Sequence, residues 1–302
     1  MDYGKEGGNM VYKKSIGEKI FDFCNYLLMF LLLVITLYPC YYVVVASLSD
    51  PVKVAATNGL LFYPQGFSAS SYYEVLKSSQ IWYGYANTVF YVLVGGSMSV
   101  LFTVMAAFAL TRKNLPGKNI LSFLILFTMY FHGGLIPTYL VVKSIGLLDS
   151  RWVMLLINVV ATYNLIITMS YFRGIPDSLE EAAKIDGASD YTVLFKILLP
   201  LAKPIIAVIA LYYMVAIWND FMTSLIYLND RTKFPLQMVL REILIQNNTN
   251  SVAASGSGDD AQAYAENLKY AIIVVSTVPI LCVYPFIQKY FVKGVMIGAV
   301  KG

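Results

Sequence analysis

The chain of 302 residues is 58% apolar and only 13% charged, and its formal net charge at pH 7 is +4. Soluble domains usually carry about a quarter charged residues, so this composition excludes an ordinary soluble protein and favours a membrane protein. The small net charge, with no basic face alternating with exposed aromatic residues, argues against nucleic-acid binding.

Long apolar blocks recur along the chain, and each has about the length that crosses a hydrocarbon core as a helix, roughly 20 residues. The sequence therefore predicts an all-α, polytopic membrane protein. Its six transmembrane helices are predicted near residues 23–48, 86–110, 120–142, 152–172, 204–228 and 270–291. The first block is too long for the core of a signal peptide, so we interpret it as a retained span.

The spans divide the chain into three predicted regions. Residues 1–22 form an amino-terminal segment, residues 23–85 hold the first span and an external connection, and residues 86–302 hold five further spans. Within the external connections, residues 49–85 are expected to form interfacial helices or a small cap. The Ser-, Gly-, Asn- and Asp-rich part of residues 246–267 is expected to be flexible.

The placement of lysine and arginine predicts how the spans are oriented. The two termini, the connection between the second and third spans, and the segment after the fourth span hold 14 of the 22 basic residues, which leaves 8 elsewhere. With an even number of spans, these four regions lie on one side of the membrane. Both termini and residues 175–204 are therefore predicted to be cytoplasmic.

Several catalytic and nucleotide-binding motifs are absent. There is no Gly-x-x-x-x-Gly-Lys-Ser/Thr loop, no His-Glu-x-x-His pair and no Gly-x-Ser-x-Gly turn. His132 is the only histidine, and Asp220 is the main acidic residue inside a span. We therefore predict no catalytic residue, no metal site and no cofactor bound by this chain, and the scarcity of acidic residues in the spans argues against an ion-coupled carrier.

Residues 175–204 (IPDSLEEAAKIDGASDYTVLFKILLPLAKP) form an amphipathic, charged segment between long apolar blocks. The pattern predicts two short helices joined at Gly187, where a left-handed residue ends the first helix. Ser178 and Glu181 have the spacing of a capping box at the start of that helix. The second helix is expected to begin at Ser189 or Asp190 and to be interrupted by the two later prolines of the segment, Pro200 and Pro204.

The spacing of Glu181-Ala182-Ala183, Gly187 and Ile197-x-Leu199-Pro200 resembles the EAA loop of binding-protein-dependent ABC importer permeases. We call residues 175–204 the EAA loop. In that family the loop docks in a groove of a separate ATP-hydrolysing subunit and couples it to the spans. The resemblance implies a type I importer permease core (MetI-like) with these coupling residues: Glu180, Glu181, Ala182, Ala183, Asp186, Gly187, Ala188, Leu199 and Pro200.

Three further stretches, Phe131–Trp152, Trp218–Phe221 and Tyr284–Gly302, resemble carbohydrate-importer permeases, most closely the branch for complex oligosaccharides or polysaccharide fragments. The resemblance implies one permease subunit of an ATP-driven importer in a bacterial plasma membrane. A second permease subunit, two copies of an ABC ATPase and an extracellular solute-binding protein would complete the assembly. ATP and Mg would be used by the ATPase, and none would be bound by this chain.

Some polar and aromatic residues inside the spans are candidates for the substrate pathway. Carbohydrate sites combine aromatic faces with planar polar groups, and a helix broken at His132-Gly133-Gly134 and Pro137 could line a cavity. The candidates are His132, Tyr163, Asn164, Tyr212, Trp218, Asn219 and Asp220. The alternatives are a packing kink at the glycines and an interfacial belt of aromatic residues.

Two other functions remain open at the level of sequence. An ion-coupled secondary transporter predicts uptake that collapses with an ion gradient and persists without ATP. A membrane-embedded enzyme acting on glycans or lipids predicts activity of the purified chain alone. The importer permease predicts instead that a protein with a phosphate-binding loop co-purifies with the chain.

Overall fold

The computed structural model describes residues 15–57, 59–253, 263–264, 266–282 and 285, and within these it is helical with no β-strand. The helices are α1 (Ile16–Ser47), α2 (Pro51–Ala56), α3 (Ser70–Lys77), α4 (Ser79–Phe90), α5 (Gly96–Thr111), α6 (Lys118–Tyr130), α7 (Leu135–Ser144), α8 (Arg151–Leu156), α9 (Thr162–Arg173), α10 (Asp177–Ile185), α11 (Asp190–Thr192), α12 (Leu199–Leu201), α13 (Lys203–Asn219), α14 (Met222–Tyr227) and α15 (Leu236–Ala253). Two π-helical segments, Tyr91–Gly95 and Val193–Leu198, join α4 to α5 and α11 to α12. Residues 231–233 form a 3-10 turn, and residues 266–282 are also helical.

Local sequence signals explain where the first helices begin. Ser15 accepts a hydrogen bond from the Glu18 backbone, and the Glu18 carboxylate accepts one from the Ser15 N–H, which is a reciprocal capping box. Asp50 caps α2 by accepting hydrogen bonds from the Val52 and Lys53 N–H groups. Residues 49–85 contain the short helices α2 and α3, in agreement with the helical alternative of the two predicted for this connection.

Two helices of the described residues are long and apolar enough to cross a membrane, namely Ile16–Ser47 and the continuous Ser79–Thr111. Two bent pairs pass the same test together, so each could be one span. The pair Lys118–Tyr130 and Leu135–Ser144 bends by 118°, and the pair Asp190–Leu201 and Lys203–Asn219 bends by 84°. By length and composition the count is therefore two to four, and the six predicted spans are not established.

The break in the third predicted span is confirmed. α6 ends at Tyr130 and α7 begins after Gly134, whose φ of +88° suits a residue without a side chain. Pro137 lies in the first turn of α7, where its missing N–H has no helical partner to lose. The rings of Phe127 and Phe131 stack at this break, with centroids 4.3 Å apart.

The fourth predicted span and the predicted flexible stretch both differ in part from the described structure. The fourth predicted span is split, because residues 157–161 between α8 and α9 are not helical. The expected flexible stretch starts as helix, since α15 extends to Ala253. Residues 254–262 of that stretch, part of the sixth predicted span, the first 14 residues and nearly all of the Tyr284–Gly302 motif lie outside the described residues.

Buried side chains form two main apolar clusters. One lies around Ile81, Tyr91, Leu236 and Ile272, and therefore joins α4, α15 and the last helix. The other joins α5, α9 and α13 and also includes buried residues of the EAA loop. The packing of the second cluster places the EAA loop directly against the ends of three long helices.

A buried asparagine joins the first and last described helices. Asn267 is 2% exposed, and its amide nitrogen donates to the Ala46 carbonyl at 2.8 Å while its oxygen accepts from the Ser71 hydroxyl at 2.6 Å. These bonds satisfy polar groups at the end of α1 and in α3. The amide therefore fixes how residues 266–282 pack against the amino-terminal part of the chain.

We expect Asn267→Leu to destabilise the fold by about 1–3 kcal/mol, because it removes the acceptor of the buried Ser71 hydroxyl and one of the hydrogen bonds of the Ala46 carbonyl. Thermal unfolding of the purified protein in detergent measures the loss. Thr277→Val is the control, since the Thr277 side chain is exposed and its hydroxyl bonds only to Ile273 of its own helix. Equal melting temperatures for both variants would contradict the assigned role of Asn267.

Candidate functional site

The first helix of the EAA loop, α10, has an inner and an outer face. Ala183 is its only buried residue, and Glu180, which is one turn earlier on the same face, has a side chain that is 19% exposed. Glu181 and Ala182 are exposed on the outer face, and Ile185 is 86% exposed. The sequence therefore places small and acidic groups against the bundle and an apolar side chain in the open.

The capping box predicted from Ser178 and Glu181 is wrong. α10 begins at Asp177, so that Ser178 lies inside the helix, and no side chain caps its first turn. Pro176 holds the preceding backbone extended, with φ −59° and ψ 131°, and leads the chain into the helix. Asp177 and Glu180 place negative charge in the first turn, where the helix dipole favours it.

The turn at Gly187 confirms the predicted helix end. Gly187 has φ +81°, a left-handed conformation that costs glycine little. Its N–H donates to the Lys184 carbonyl at 3.0 Å, and the Ala188 N–H donates to the Ala183 carbonyl at 2.9 Å. This pair of bonds is a Schellman motif, and Ala183 and Ala188 pack in the same apolar cluster. The turn is thus fixed by backbone bonds and by contact of two small side chains.

The second helical part of the EAA loop is the path from Asp190 to Leu201, which continues after a bend into α13. Ser189 caps it by accepting from the Thr192 N–H at 3.3 Å, as one of the two predicted caps. Pro200 does not interrupt the helix, because it lies at the start of α12, directly after the π-helical segment. The path instead breaks at Ala202, where it bends by 84° into α13. Pro204 lies in the first turn of α13, where proline is tolerated.

Ion pairs connect α10 to the short connection that follows α5. Arg112 donates a hydrogen bond to the Glu180 carboxylate, which also pairs with Lys184 at 2.9 Å. Lys113 pairs with Asp177 at 2.7 Å. The Arg112 and Glu180 side chains are only 20% and 19% exposed, whereas those of Lys113 and Asp177 are largely in solvent. The Arg112–Glu180 pair is therefore partly buried, whereas the Lys113–Asp177 pair is exposed.

The exposed pair shifts the titration of both partners. The hydrogen bond and charge of Lys113 lower the pKa of Asp177, and the same hydrogen bond raises the pKa of Lys113. Because the folded-state pKa of the carboxyl is lowered, the attraction is fully present above the ordinary pKa of an aspartate. It is lost only as the pH falls through the lowered value.

Approximate free energies of apolar burial and of hydrogen bonding show which contact holds α10 in place. Burial of one methyl group, as at Ala183, is worth about 0.8 kcal/mol. A hydrogen bond between charged groups contributes about 1.5–3 kcal/mol, and the one between Arg112 and Glu180 is partly buried. The Arg112–Glu180 pair therefore outweighs the apolar packing of α10 itself.

The exposed side of the EAA loop carries apolar residues that no described part of the chain covers. Ile185 is 86% exposed, Tyr191 is 73% exposed and Leu179 is 42% exposed. Ile185 and Tyr191 lie two residues before and four residues after Gly187, and the same loop carries exposed charges such as Glu181 and Asp186. We call Ile185 and Tyr191 the loop patch.

A separate cleft of about 560 Å³ lies between α5, α13 and the break between α8 and α9. Four residues predicted for the substrate pathway line it, and three further polar side chains do so as well. The predicted four are Asn164, Tyr212, Asn219 and Asp220, and the additional three are Ser99, Asn158 and Thr223. Asp220 also caps α14, since it accepts from the Thr223 N–H at 3.0 Å.

Three predicted pathway residues do not line this cleft. The Trp218 indole N–H donates to the Ser276 carbonyl at 3.3 Å, and the ring packs beside Tyr85. His132 lies exposed in the break between α6 and α7. Tyr163 stands next to the cleft, with its ring centroid 6.2 Å from that of Tyr212. The structure thus brings together four of the seven candidates.

A comparison with protein families agrees with the resemblance of the EAA loop. Residues 97–297 match the family described as the binding-protein-dependent transport system inner membrane component. This chain belongs to that family. Its members are permease subunits of ABC transporters and not enzymes, and the prediction that the chain is not an enzyme is confirmed on this ground. The chain is a bacterial plasma-membrane protein of the sugar-permease type.

Individual relatives share nearly the whole length of this permease. The polygalacturonan/rhamnogalacturonan transport system permease protein YtcP of Bacillus subtilis (strain 168) is 41% identical over 94% of this chain and 99% of its own. The arabinooligosaccharides transport system permease protein AraQ of Halalkalibacterium halodurans is 27% identical over 89% of this chain and 92% of its own. A crystal structure of a bacterial ABC transporter that imports the acidic polysaccharide alginate contains a similar chain, with a TM-score of 0.82, 34% identity, and coverage of 92% and 99%.

Sequence reasoning missed a tyrosine that organises the permease cleft. Tyr213 is 4% exposed, and its hydroxyl accepts from the Ala161 N–H at 2.9 Å and bonds to the Thr103 hydroxyl at 2.6 Å. It therefore supplies the hydrogen bond that Ala161 lacks in the non-helical residues 157–161. Its position directly after Tyr212 offered no signal of this role, because the partners lie far away in sequence.

Sequence reasoning used Arg112 and Lys113 only to predict on which side of the membrane their connection lies. The signal that could have found their role is charge complementarity. Basic residues of one connection and acidic residues of the EAA loop were predicted on the same side of the membrane. The opposite charges Arg112 and Glu180, and Lys113 and Asp177, form ion pairs in the permease.

We expect Tyr213→Phe to loosen residues 157–161 of the permease and to lower stability by about 1–3 kcal/mol, because the partly buried Ala161 N–H and the buried Thr103 hydroxyl lose their partner. Thiol labelling at Asn158→Cys, a lining residue of the cleft, should become faster in the Tyr213→Phe background. Tyr163→Phe is the matched control, since Tyr163 is largely exposed. Unchanged labelling would show that the hydroxyl does not hold the break.

Proposed function

We propose that this chain is one of two permease subunits of an ATP-driven, binding-protein-dependent importer of oligosaccharides or polysaccharide fragments. Its partners would be a second permease, two ATPase subunits and an extracellular solute-binding protein. ATP and Mg would bind the ATPase subunits only. The membership of the chain in a family of transport components supports this assignment, as do the sugar-importer names of its relatives.

The observation that carries the coupling part of the proposal is the exposed loop patch. Ile185 projects almost fully from a helix that is held on its other side by an ion pair. An apolar anchor surrounded by charged groups is typical of a surface that docks a partner. We assign the ATPase subunit as this partner, with Glu181, Ala182, Asp186 and Gly187 at the contact and Leu199 and Pro200 leading to α13.

The remaining predicted coupling residues have inner positions. Ala183 and Ala188 pack into the bundle cluster, and Glu180 receives Arg112. In the proposed mechanism these residues fix the loop to the spans rather than contact the ATPase. Closure of the ATPase dimer on ATP would displace the loop. The spans would then change the side of the membrane to which the cleft opens, because each state is favoured by different partner contacts.

We also propose that the permease core spans residues 86–302, with six membrane helices in the whole chain and both termini in the cytoplasm. The excess of basic residues in four regions of the chain supports this orientation. Helices that are broken near the centre of a span are compatible with it where the exposed backbone lines a cavity. The breaks at residues 157–161 and at Asp220 both adjoin the cleft.

The cleft is our candidate for the part of the pathway formed by this subunit. Its amide and hydroxyl side chains suit the hydroxyl groups of a sugar, and the Tyr212 ring offers an apolar face. Asn164, Tyr212, Asn219 and Asp220 are therefore kept as pathway residues, together with Asn158. Trp218 and His132 have weaker support, because neither lines the cleft.

Uptake by the complete complex in proteoliposomes tests the proposed function. The complex is purified from its host through a tag on this chain and is supplied with its binding protein and labelled oligogalacturonides. We expect uptake that requires ATP on the side of the membrane where the ATPase subunits lie. Uptake should stop when a non-hydrolysable analogue replaces ATP. Uptake that continues without ATP and follows an ion gradient would instead show a secondary transporter.

Ile185→Asp should prevent association with the ATPase subunit, because it places a charge at the centre of the proposed apolar contact. Co-purification through a tag on the permease measures the retained ATPase. Ile185→Leu is the matched control and should retain it, since it preserves apolar character and volume. Equal recovery of ATPase with both variants would exclude Ile185 from the interface.

A further inference from the structure

Arg112 has contacts on two different elements. Its guanidinium donates to Glu180 of α10, and the Arg112–Glu180 pair is about four-fifths buried. The same group lies over the Phe108 ring, 4.4 Å from its centroid, and the Nε atom donates to the Phe108 carbonyl at 3.3 Å. A further bond joins it to the Thr111 hydroxyl at 3.3 Å. Arg112 is therefore bonded both to the end of α5 and to the EAA loop.

The helix that holds Arg112 also reaches the cleft. α5 belongs to the continuous 33-residue helix Ser79–Thr111. It contributes Ser99 to the cleft wall, and its Thr103 hydroxyl bonds to Tyr213, which in turn bonds to Ala161 in the break. A displacement of the Arg112 end of this helix would thus move groups that form the cleft.

The covalent routes from α10 to the spans are less direct. On the carboxyl side, the helical part Asp190–Leu201 reaches α13 only through the 84° bend at Ala202. On the amino side, residues 174–176 are a non-helical link between α9 and α10. A helix that is joined by a bend and by a short link depends on side-chain contacts for its orientation. The Arg112–Glu180 pair is the less exposed of the two ion pairs that join α10 to the end of α5.

We propose that Arg112 is a positioning residue that transmits movement of the EAA loop to the helix Ser79–Thr111 and so to the cleft. This inference rests on the proposed function, because it requires that an ATPase moves the loop. Arg112 does not line the cleft, and within the EAA loop it bonds Glu180 on the inner face of α10. Its loss should therefore uncouple the two sites without removing either of them.

The experiment compares Arg112→Met, Glu180→Gln and the double variant in the reconstituted complex. Substrate-stimulated ATP hydrolysis should fall by about tenfold in each single variant, as expected for loss of a charged hydrogen bond. The double variant should fall no further, since both substitutions remove the same contact. ATPase recovery and ATP hydrolysis without substrate should stay at the level of the unmodified complex.

A second readout separates transmission from a general loss of structure. Thiol labelling of Ser99→Cys in the cleft should change its rate on addition of ATP in the unmodified background. With Arg112→Met the rate without ATP should be retained and the response to ATP lost. Lys118→Met is the control cation, because its ammonium group bonds the Thr111 carbonyl rather than the EAA loop, and it should keep the response.

The outcomes distinguish this inference from the proposed function. Normal stimulation and normal labelling in Arg112→Met, together with loss of ATPase in Ile185→Asp, would overturn the role of Arg112 alone. Additive losses in the double variant would also overturn it. A complex whose unmodified form binds no ATPase and shows no response to ATP would overturn the proposed function itself. Thermal stability of each variant identifies any that fail to fold, and Glu180→Gln then serves as the second test.

Discussion

The need to pair every backbone polar group in apolar surroundings controls this structure. Inside helices the backbone satisfies itself, but each interruption exposes N–H and C=O groups that require another partner. Buried side chains meet that need at specific points. The Tyr213 hydroxyl receives the Ala161 N–H, and the Thr88 hydroxyl receives the N–H of Leu236 where α15 begins. At these two places a distant polar side chain therefore satisfies the backbone group that the interruption leaves without a helical partner.

This constraint also explains where the cleft lies. The break at residues 157–161 and the helix end at Asp220 adjoin the same cavity. At such ends, backbone and short polar side chains are available that a continuous apolar helix would not offer. Asn158, Asn219 and Asp220 are all within or beside an interruption. The polar lining of the cleft thus follows from the irregular backbone, and the bonds of Tyr213 keep that backbone in place.

The features that the sequence predicts well have local causes. A glycine with positive φ ends α10, and another, Gly134, precedes α7 where it separates from α6, because glycine adopts a conformation that other residues avoid. The broken fourth span has no such signal. No glycine or proline lies in residues 157–161, and the decisive bond comes from a tyrosine 52 positions later. Likewise the charges of Arg112 and Glu180 are visible in the sequence, but their pairing across 68 positions is not.

The capping error at Ser178 and the misplaced break at Pro200 have related causes. Both predictions treated a short motif as sufficient, whereas the surrounding structure offered a competing solution. The N-cap of α10 is Pro176, two residues before Ser178, and the π-helical segment before α12 allows Pro200 to remain in a helical path. Local motifs indicate that a helix begins or bends nearby. Packing against the bundle decides the residue at which it does so.

α10 buries few side chains, as is typical of an element that moves. Segments that shift during function are drawn from the less stable parts of a protein, since deep burial would make each displacement too costly. α10 buries Ala183 alone and relies on ion pairs for its position. A directional, charged contact can hold a defined geometry with little buried surface. For a loop that is proposed to be displaced by a partner, this combination preserves alignment with α5 while the apolar side of the helix remains available for docking.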